Sequence, residues 1–264
     1  MAMNVGFIGA GGRATGAHYP AVTRLEQEGV VKLQAICDLN EARLNDAGGR
    51  FGVERRYTDY HRMLEEVDLD ALYVIMPPQY SLPIIVDCLN AGMHVLVEKP
   101  PAMSAGDMEI MVEAAERNKR VTAVCFQRRI APVAQEVRRL ILERGPVTMC
   151  IGEFHKNMLK SKGPSLGVST LLDDLIHAVD FVRYMCGGEP IVSAQTFTVK
   201  AGPDSEHLET RGTVKVTNDT GWKMQWMKGD DTVQLKDGDT VVQILNEGQA
   251  HDAKVFDAFV LAAP

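Results

Sequence analysis

Through residues 1–125, short apolar runs alternate with stretches whose apolar positions recur at helical spacing. Asn4 to Ile8 is an apolar run ending at glycines, and a helix-like stretch from Gly12 to Glu28 follows, closed by Gly29. Val31 to Cys37 is a β-branched run, and Asn40 is placed to cap a helix reaching Gly48-Gly49. Thr58 is placed to cap a short helix, Asp59 to Glu66. Ala71 to Met76 predicts a buried strand stopped by Pro77-Pro78, and Ser81 to Asn90 a helix ended by Gly92. His94 to Val97 predicts a strand closed by Glu98-Lys99-Pro100. Ser104 with Asp107 resembles a capping box opening a helix to Arg120, before a last strand, Val121 to Cys125. Near-continuous apolar strands separated by helices imply a parallel sheet covered on both faces, and right-handed crossovers make it doubly wound.

The pattern changes after residue 125. A helix from Pro132 to Arg144, closed by Gly145-Pro146, precedes a strand, Val147 to His155, and a Gly/Ser/Lys-rich loop, Lys156 to Ser169. Asp173 to Met185 predicts another helix. Strand-like runs then follow at Ile191 to Lys200, Leu208 to Val216, Gly221 to Met227, Thr232 to Leu235 and Thr240 to Leu245. Asp237-Gly238 predicts a tight hairpin turn, and Ala253 to Ala263 the start of an apolar helix. The expected fold class is α/β, a doubly wound parallel sheet over 1–125, followed by an α+β domain over 126–264 with a mostly antiparallel open sheet.

A net charge of −7 offers no basic excess for nucleic acid or an anionic membrane, so neither partner is expected. No apolar run approaches the roughly 20 residues that span a bilayer. The five cysteines, Cys37, Cys88, Cys125, Cys150 and Cys186, include no CxxC pair, so no zinc knuckle or disulfide framework is indicated. An odd count points to a reducing compartment, and the amino terminus enters a strand without a charged or long apolar leader. The expectation is a cytoplasmic protein without a secretory signal and without a metal requirement.

Gly9-Ala10-Gly11-Gly12-Arg13-Ala14 has the G-x-G-x-x-A form between a strand and a helix. Gly9 permits a tight turn, Gly11 lets backbone approach a pyrophosphate, and Ala14 lets helix pack on strand, which together predict a dinucleotide-binding Rossmann domain. The next strand ends in Asp38, whose carboxylate suits the ribose hydroxyls of NAD and repels a 2′-phosphate. Arg43 lies nearby, which leaves NADP open. A methyltransferase also carries a glycine turn and an acidic strand end, but nothing else in the chain supports that reading. Glu98-Lys99-Pro100 stands where a strand delivers its carboxyl end to the ligand crevice, although a lysine after a strand is ordinarily a solvated loop residue. Asp173 and His177 share one helix face, with Asp180 one turn further; on its own this spacing is commonly a surface ion pair or cap.

Together the segments GFIGAGGRATGAHYPAV, AICDLN, YTDYHRMLEEVDLDALYVIMPP, AGMHVLVEKPPA, CFQRRIAP and LLDDLIHAVD resemble the glucose–fructose oxidoreductase / inositol dehydrogenase family (Gfo/Idh/MocA). The resemblance runs through nearly the whole chain. It implies a Rossmann domain followed by an α+β domain whose open sheet carries the substrate and often an oligomer contact, hence a homo-oligomer. Carried onto this sequence, Lys99 would hydrogen-bond the reacting hydroxyl, His177 would be the acid/base, and Asp173 would orient His177 or bind a substrate hydroxyl. The cofactor side would be shaped by Gly9, Gly11, Gly12, Arg13, Asp38, Pro77, Glu98, Lys99 and Pro100, with Gln127 and Arg128 near it. Oxidising a secondary alcohol needs hydride loss to nicotinamide and proton loss to a base near neutrality, and a cationic lysine favours the alkoxide.

The sequence departs from the family at Met76-Pro77-Pro78-Gln79-Tyr80-Ser81, where Thr-Pro-Asn and then His is frequent, and at Leu175, where a glycine is common. The glycine-rich approach to the catalytic helix is reduced to Gly167-Val168-Ser169. The family usually continues with a longer returning helix, so the C-terminal end is expected to be short or truncated. His155 is a further candidate for substrate binding, Lys156, Lys160 and Lys162 belong to a solvated loop, and His18 is expected to pack or cap. Trp222 and Trp226 alternate along a strand and suggest packing on a sheet face. The expected function is an NAD(P)-dependent dehydrogenase or reductase acting on a sugar, cyclitol or related polyol. The alternatives are a non-catalytic dinucleotide sensor, which would not need Lys99, Asp173 and His177 together, or a glycosidase-type enzyme working by redox elimination.

Overall fold

The computed structural model describes residues 2–145, 147, 149–152, 168, 171–187, 193–200, 208–217, 224–226, 232–237, 240–245 and 259–261. The chain divides into two compact units, Met1–Cys125 and Phe126–Pro264.

The first unit is built on β1 (Met3–Ile8), β2 (Val31–Cys37), β3 (Arg55–Tyr57), β4 (Ala71–Val74), β5 (His94–Val97) and β6 (Thr122–Val124). They form one sheet in the order β3-β2-β1-β4-β5-β6, parallel at every pairing. Between them run α1 (Tyr19–Gln27), α2 (Glu41–Phe51), α3 (Tyr60–Glu66), α4 (Pro78–Asn90) and α5 (Ala105–Arg117). The strand order reverses between β1 and β4, and at such a switch point a ligand crevice opens beyond the carboxyl ends of the strands.

Each face of this sheet has its own apolar core. Val5, Phe7 and Ile36 pack with Tyr19, Val22, Leu44 and Ala47, while Ile8, Ala35 and Cys37 pack with Met63, Ile85, Cys88 and Leu89. Val5 pairs with Leu33 but Gly6 with Ala35, so Gln34 is an extra residue in β2. That bulge reverses the in–out alternation of β2, and the Gln34 amide donates to Asn4 Oδ1 at 2.9 Å. Phe7 lies between the rings of Tyr19 and Tyr73, with centroids 4.1 and 4.6 Å away. Burial in the second core pushes the Cys37 and Cys88 thiols up to about 12, with nearby carboxylates adding to the effect.

Several boundaries differ from expectation for local reasons. Helix begins at Gly12, but Ala14–His18 is a π-helical turn before α1. Pro20 has no N–H and its ring crowds the carbonyl four residues back, and the Tyr19 N–H reaches Ala14 O instead. Asp59, not Thr58, caps α3, accepting from the His61 N–H at 2.9 Å. α4 starts at Pro78, since a proline costs no hydrogen bond in a helix's first turn. Ser104 caps α5 by accepting from the Asp107 N–H, and the helix ends three residues before the expected Arg120. β3 had no residues assigned to it from the sequence; it is a short edge strand with exposed arginines, which carries no apolar signature.

In the second unit a 3₁₀ turn, Gln127–Ile130, leads into α6 (Pro132–Arg144), β7 (Met149–Gly152) and a π-turn, Leu171–Leu175, that continues as α7 (Ile176–Met185). Ala134, Val137, Ile141, Val147, Cys150, Phe181, Val182 and Met185 form its core. β8 (Ser193–Lys200), β9 (Leu208–Thr217), β10 (Met224–Trp226), β11 (Thr232–Asp237), β12 (Thr240–Leu245) and β13 (Phe259–Leu261) complete the order. They form antiparallel sheets β13-β7-β9-β8 and β10-β11-β12. The helix expected over 253–263 is corrected: Phe259–Leu261 is a strand paired with β7. Phe-Val-Leu suits a pleated strand, and β7 offers it an edge. Asp237 pairs with Thr240, which frames the expected hairpin, although Gly238 lies outside the described residues, as do His155, Lys156, Lys160, Lys162 and Trp222. Among the described residues no helix is long and apolar enough to cross a membrane.

Candidate functional site

The glycine turn closes at the carboxyl end of β1. The Gly9 N–H donates to Cys37 O at 2.7 Å, and Gly9 adopts φ +115°. A Cβ there would lie 2.1 Å from Ile75 O, so the close approach of the β1 and β4 ends admits glycine alone. At Gly11 and Gly12 an added Cβ meets nothing within 4 Å. These two glycines therefore border open space, and the N–H groups of a helix's first turn lack intrahelical acceptors. Such a cradle fits a pyrophosphate. Asp38 sits beside it, its Oδ2 accepting from the Ala10 N–H at 2.7 Å and its Oδ1 from the Asn40 N–H at 2.8 Å. A carboxylate has about four acceptor sites, so these bonds leave capacity for two ribose hydroxyls. Leu39, next to Asp38, is 89% exposed, a large apolar side chain just after the carboxyl end of β2 that sequence reasoning passed over. An apolar residue directly after the acidic strand end was the available signal.

Glu98, at the end of β5, gathers three donors. Arg13 Nε lies 2.6 Å and His18 Nε2 2.8 Å from its Oε1, and the Lys99 N–H donates to Oε2 at 3.1 Å. Burial opposes ionisation of this carboxyl, yet the hydrogen bonds from His18 and Arg13 and the charge of Arg13 outweigh it and bring Glu98 down to about 2. The structure thus joins the helix start after the glycine turn to the segment that carries Lys99. Arg13 and Glu98, read as separate cofactor-side residues, are partners, and His18, read as packing or capping, completes the cluster. Its signal was absent from the sequence because Glu98 lies 80 positions away. Lys99 is half-buried and joined to Pro100 by a cis peptide bond, and Pro77 precedes α4 in extended conformation. Cys125 Sγ also lies close to His18 and Glu98, the three ligand atoms falling within 4.8 Å of one another.

The remaining sequence candidates belong to the second unit. Asp173 lies in the π-turn and His177 in the first turn of α7. His177 is buried, with the Phe126 ring edge-on at 6.0 Å. Asp180, also buried, accepts from Arg129 through both oxygens, Nε to Oδ2 at 2.6 Å and a second bond from the terminal nitrogen. The Arg129 guanidinium also faces the Phe126 and Tyr184 rings, 5.7 and 5.5 Å from their centroids. Sequence reasoning noted Asp180 on the His177 face but missed Arg129, 51 positions earlier. The Gln127 Oε1 is buried without a hydrogen-bond partner, an acceptor open to a ligand donor.

Comparison with known proteins bears on this geometry. Residues 3–126 match the model of an oxidoreductase family with an NAD-binding Rossmann fold, Gfo/Idh/MocA. Over its first unit the chain matches this family, with its NAD-binding Rossmann fold. The myo-inositol 2-dehydrogenase of Thermotoga maritima is 27% identical over 195 residues, 71% of this chain and 56% of that protein. The solved myo-inositol 2-dehydrogenase of Lactobacillus plantarum superposes with a TM-score of 0.69 at 19% identity, over 92% of this chain and 76% of the other. An oxidoreductase of Agrobacterium radiobacter, solved with NAD+, L-tartaric acid and magnesium, gives 0.73 at 16% identity, over 92% and 79%. At those identities the two structures show the fold. The chain spans about half the length of the curated relatives it matches first.

Proposed function

We propose that the chain is an NAD-dependent oxidoreductase acting on a secondary alcohol or ketone of a sugar, cyclitol or related polyol. The observation that carries this reading is the glycine turn: closed at Gly9 by Ile75 O, open at Gly11 and Gly12, and fastened to Asp38. The likeness to the Thermotoga maritima myo-inositol 2-dehydrogenase supports the substrate class.

The nicotinamide of NAD supplies a hydride acceptor or donor at one ring carbon. In this reading Gly11, Gly12 and Arg13 receive the pyrophosphate, Asp38 the adenosine ribose, and Leu39 offers an apolar surface to the adenine ring. Pro77 lines the cofactor side, and the open acceptor of Gln127 takes a carboxamide or hydroxyl donor. Lys99 hydrogen-bonds the reacting hydroxyl, Glu98 holding the Lys99 backbone through its N–H. His177 takes or returns the hydroxyl proton, and Asp173 orients His177 or binds a neighbouring hydroxyl. The same reading extends to a cytoplasmic homo-oligomer joined through the C-terminal sheet.

The experiment is NADH titration of wild type and of Lys99→Ala/His177→Ala, followed by turnover assays on a panel of cyclitols and sugars. The expected result is NADH binding in both, with turnover lost in the variant by about 100-fold or more. NADH binding without turnover on any substrate would mark a sensor, and absence of NADH binding would overturn the reading.

A further inference from the structure

Three segments converge at the carboxyl edge of the first unit's sheet. His18 comes from the π-turn after the glycine turn, Glu98 from the end of β5, and Cys125 from the end of β6. Each offers one ligand atom, and the three atoms lie within 4.8 Å of one another. Glu98 is buried and the other two are half-buried, so the cluster sits inside the crevice edge and not on an open surface.

We propose that His18, Glu98 and Cys125 form a zinc site whose occupation is mutually exclusive with the Arg13–Glu98 ion pair.

The donor set selects the metal. Imidazole, carboxylate and thiolate suit zinc, whereas magnesium and calcium take oxygen ligands. Zinc bonds to these donors at about 2.0–2.3 Å, which in a tetrahedron places ligand atoms roughly 3.3–3.8 Å apart. His18 Nε2 and Glu98 Oε1, now 2.8 Å apart, therefore separate slightly on binding, and the three ligand atoms, within 4.8 Å of one another, adjust to that spacing. Three protein ligands leave a fourth position for water.

Arg13 is the competitor. Its Nε now sits 2.6 Å from the oxygen that zinc requires, and its side chain is 53% exposed, so the guanidinium has water to turn into. The thiol accounts for the proton. An ordinary cysteine thiol titrates at about 8.5, so the metal-free cysteine enters as the protonated thiol at neutral pH. Zinc binds the thiolate and the displaced proton passes to buffer, one per ion. The alternative for these residues is that Glu98 gathers donors to offset its burial and Cys125 merely fills space beside it.

The test is zinc titration of the chelator-treated full chain by calorimetry, in two buffers of different ionisation enthalpy. The expected result is one ion per chain with micromolar or tighter affinity and release of about one proton. Cys125→Ser and His18→Gln should each weaken binding at least about 30-fold, and Arg13→Ala should tighten it several-fold by removing the competing cation. Cobalt added in place of zinc should give a thiolate charge-transfer band that Cys125→Ser abolishes. Melting curves of the variants establish that each is folded before titration. Wild type that takes up no zinc at about 100 μM, uptake unaltered by Cys125→Ser and His18→Gln, or weaker uptake in Arg13→Ala would each overturn the proposal. Metal uptake is read without NADH or substrate, so failure here leaves the proposed oxidoreductase standing, and the reverse also holds.

Discussion

The backbone N–H of Ala10 donates to the Asp38 carboxylate at 2.7 Å, fastening the glycine turn to the end of β2. One oxygen thus organises the loop proposed to receive the phosphates, while the carboxylate as a whole keeps acceptor capacity for the proposed ribose contact. Removing the charge has two effects of different kind. Asp38→Ser should weaken NADH binding by about 10–100-fold, the value of losing hydrogen bonds to a charged group. It should also raise the ratio of NADPH to NADH affinity, because the repulsion of a 2′-phosphate disappears. Calorimetric titration of both proteins with both dinucleotides checks this. An unchanged ratio would mean that Asp38 only fastens the loop.

Gly9 and Gly11 should separate folding from binding. At Gly9 an added methyl strikes Ile75 O at 2.1 Å in a left-handed backbone conformation, and Gly9→Ala should cost about 3 kcal/mol. At Gly11 a methyl meets no protein atom within 4 Å, so Gly11→Ala should melt within a degree or two of wild type while losing NADH affinity. Thermal melts set beside NADH titrations distinguish the two positions. Equal losses of stability would contradict the open space above Gly11.

Glu98 makes the first unit sensitive to acid in a particular direction. Its folded-state carboxyl, at about 2, lies below the ordinary 4.5, so its contribution to stability is present above pH 4.5 and is lost as pH falls toward 2. Glu98→Gln should be less stable than wild type by about 1–3 kcal/mol at neutral pH, with the gap closing through that window. Urea melts of both proteins from pH 7 to the lowest pH at which they remain soluble give the difference curve. A gap independent of pH would show that the loss comes from packing.

Asp180 and Arg129 are unequally exposed, the Asp180 side chain at 7% and the Arg129 side chain at 40%. Arg129→Ala strands a buried carboxylate and should cost about 2–3 kcal/mol. Asp180→Ala leaves a cation that can turn to water, and should cost less. The double variant should recover part of the Arg129→Ala loss. Denaturant melts of the three variants form the cycle, and strict additivity would mean that the pair carries no coupling.

The parallel sheet was legible because Ala71 to Val74 reads as an unbroken apolar run and Val31 to Cys37 is interrupted only at Lys32 and Gln34. β3 was not, because Arg55 and Arg56 sit at an edge where solvent removes any need for apolar character. The glycine turn was legible through spacing, a property of neighbours in sequence. The Glu98 cluster was hidden for the opposite reason. His18 and Arg13 look like surface residues of a helix until folding brings β5 alongside them, and no local pattern encodes an approach across 80 positions. Phe259–Leu261 misled because a short apolar run fits a helix or a strand, and a partner strand decides between them.

The cysteines beneath the sheet supply the protein with an internal clock. Cys37 and Cys88 are buried in one core, and with thiols near 12 they are almost wholly protonated at neutral pH. A maleimide or iodoacetamide reagent can reach them as reactive thiolates only when the helices covering that face lift from the strands. Their labelling rate therefore measures how often the first unit opens, and a ligand seated on the glycine turn should slow it in proportion to its affinity.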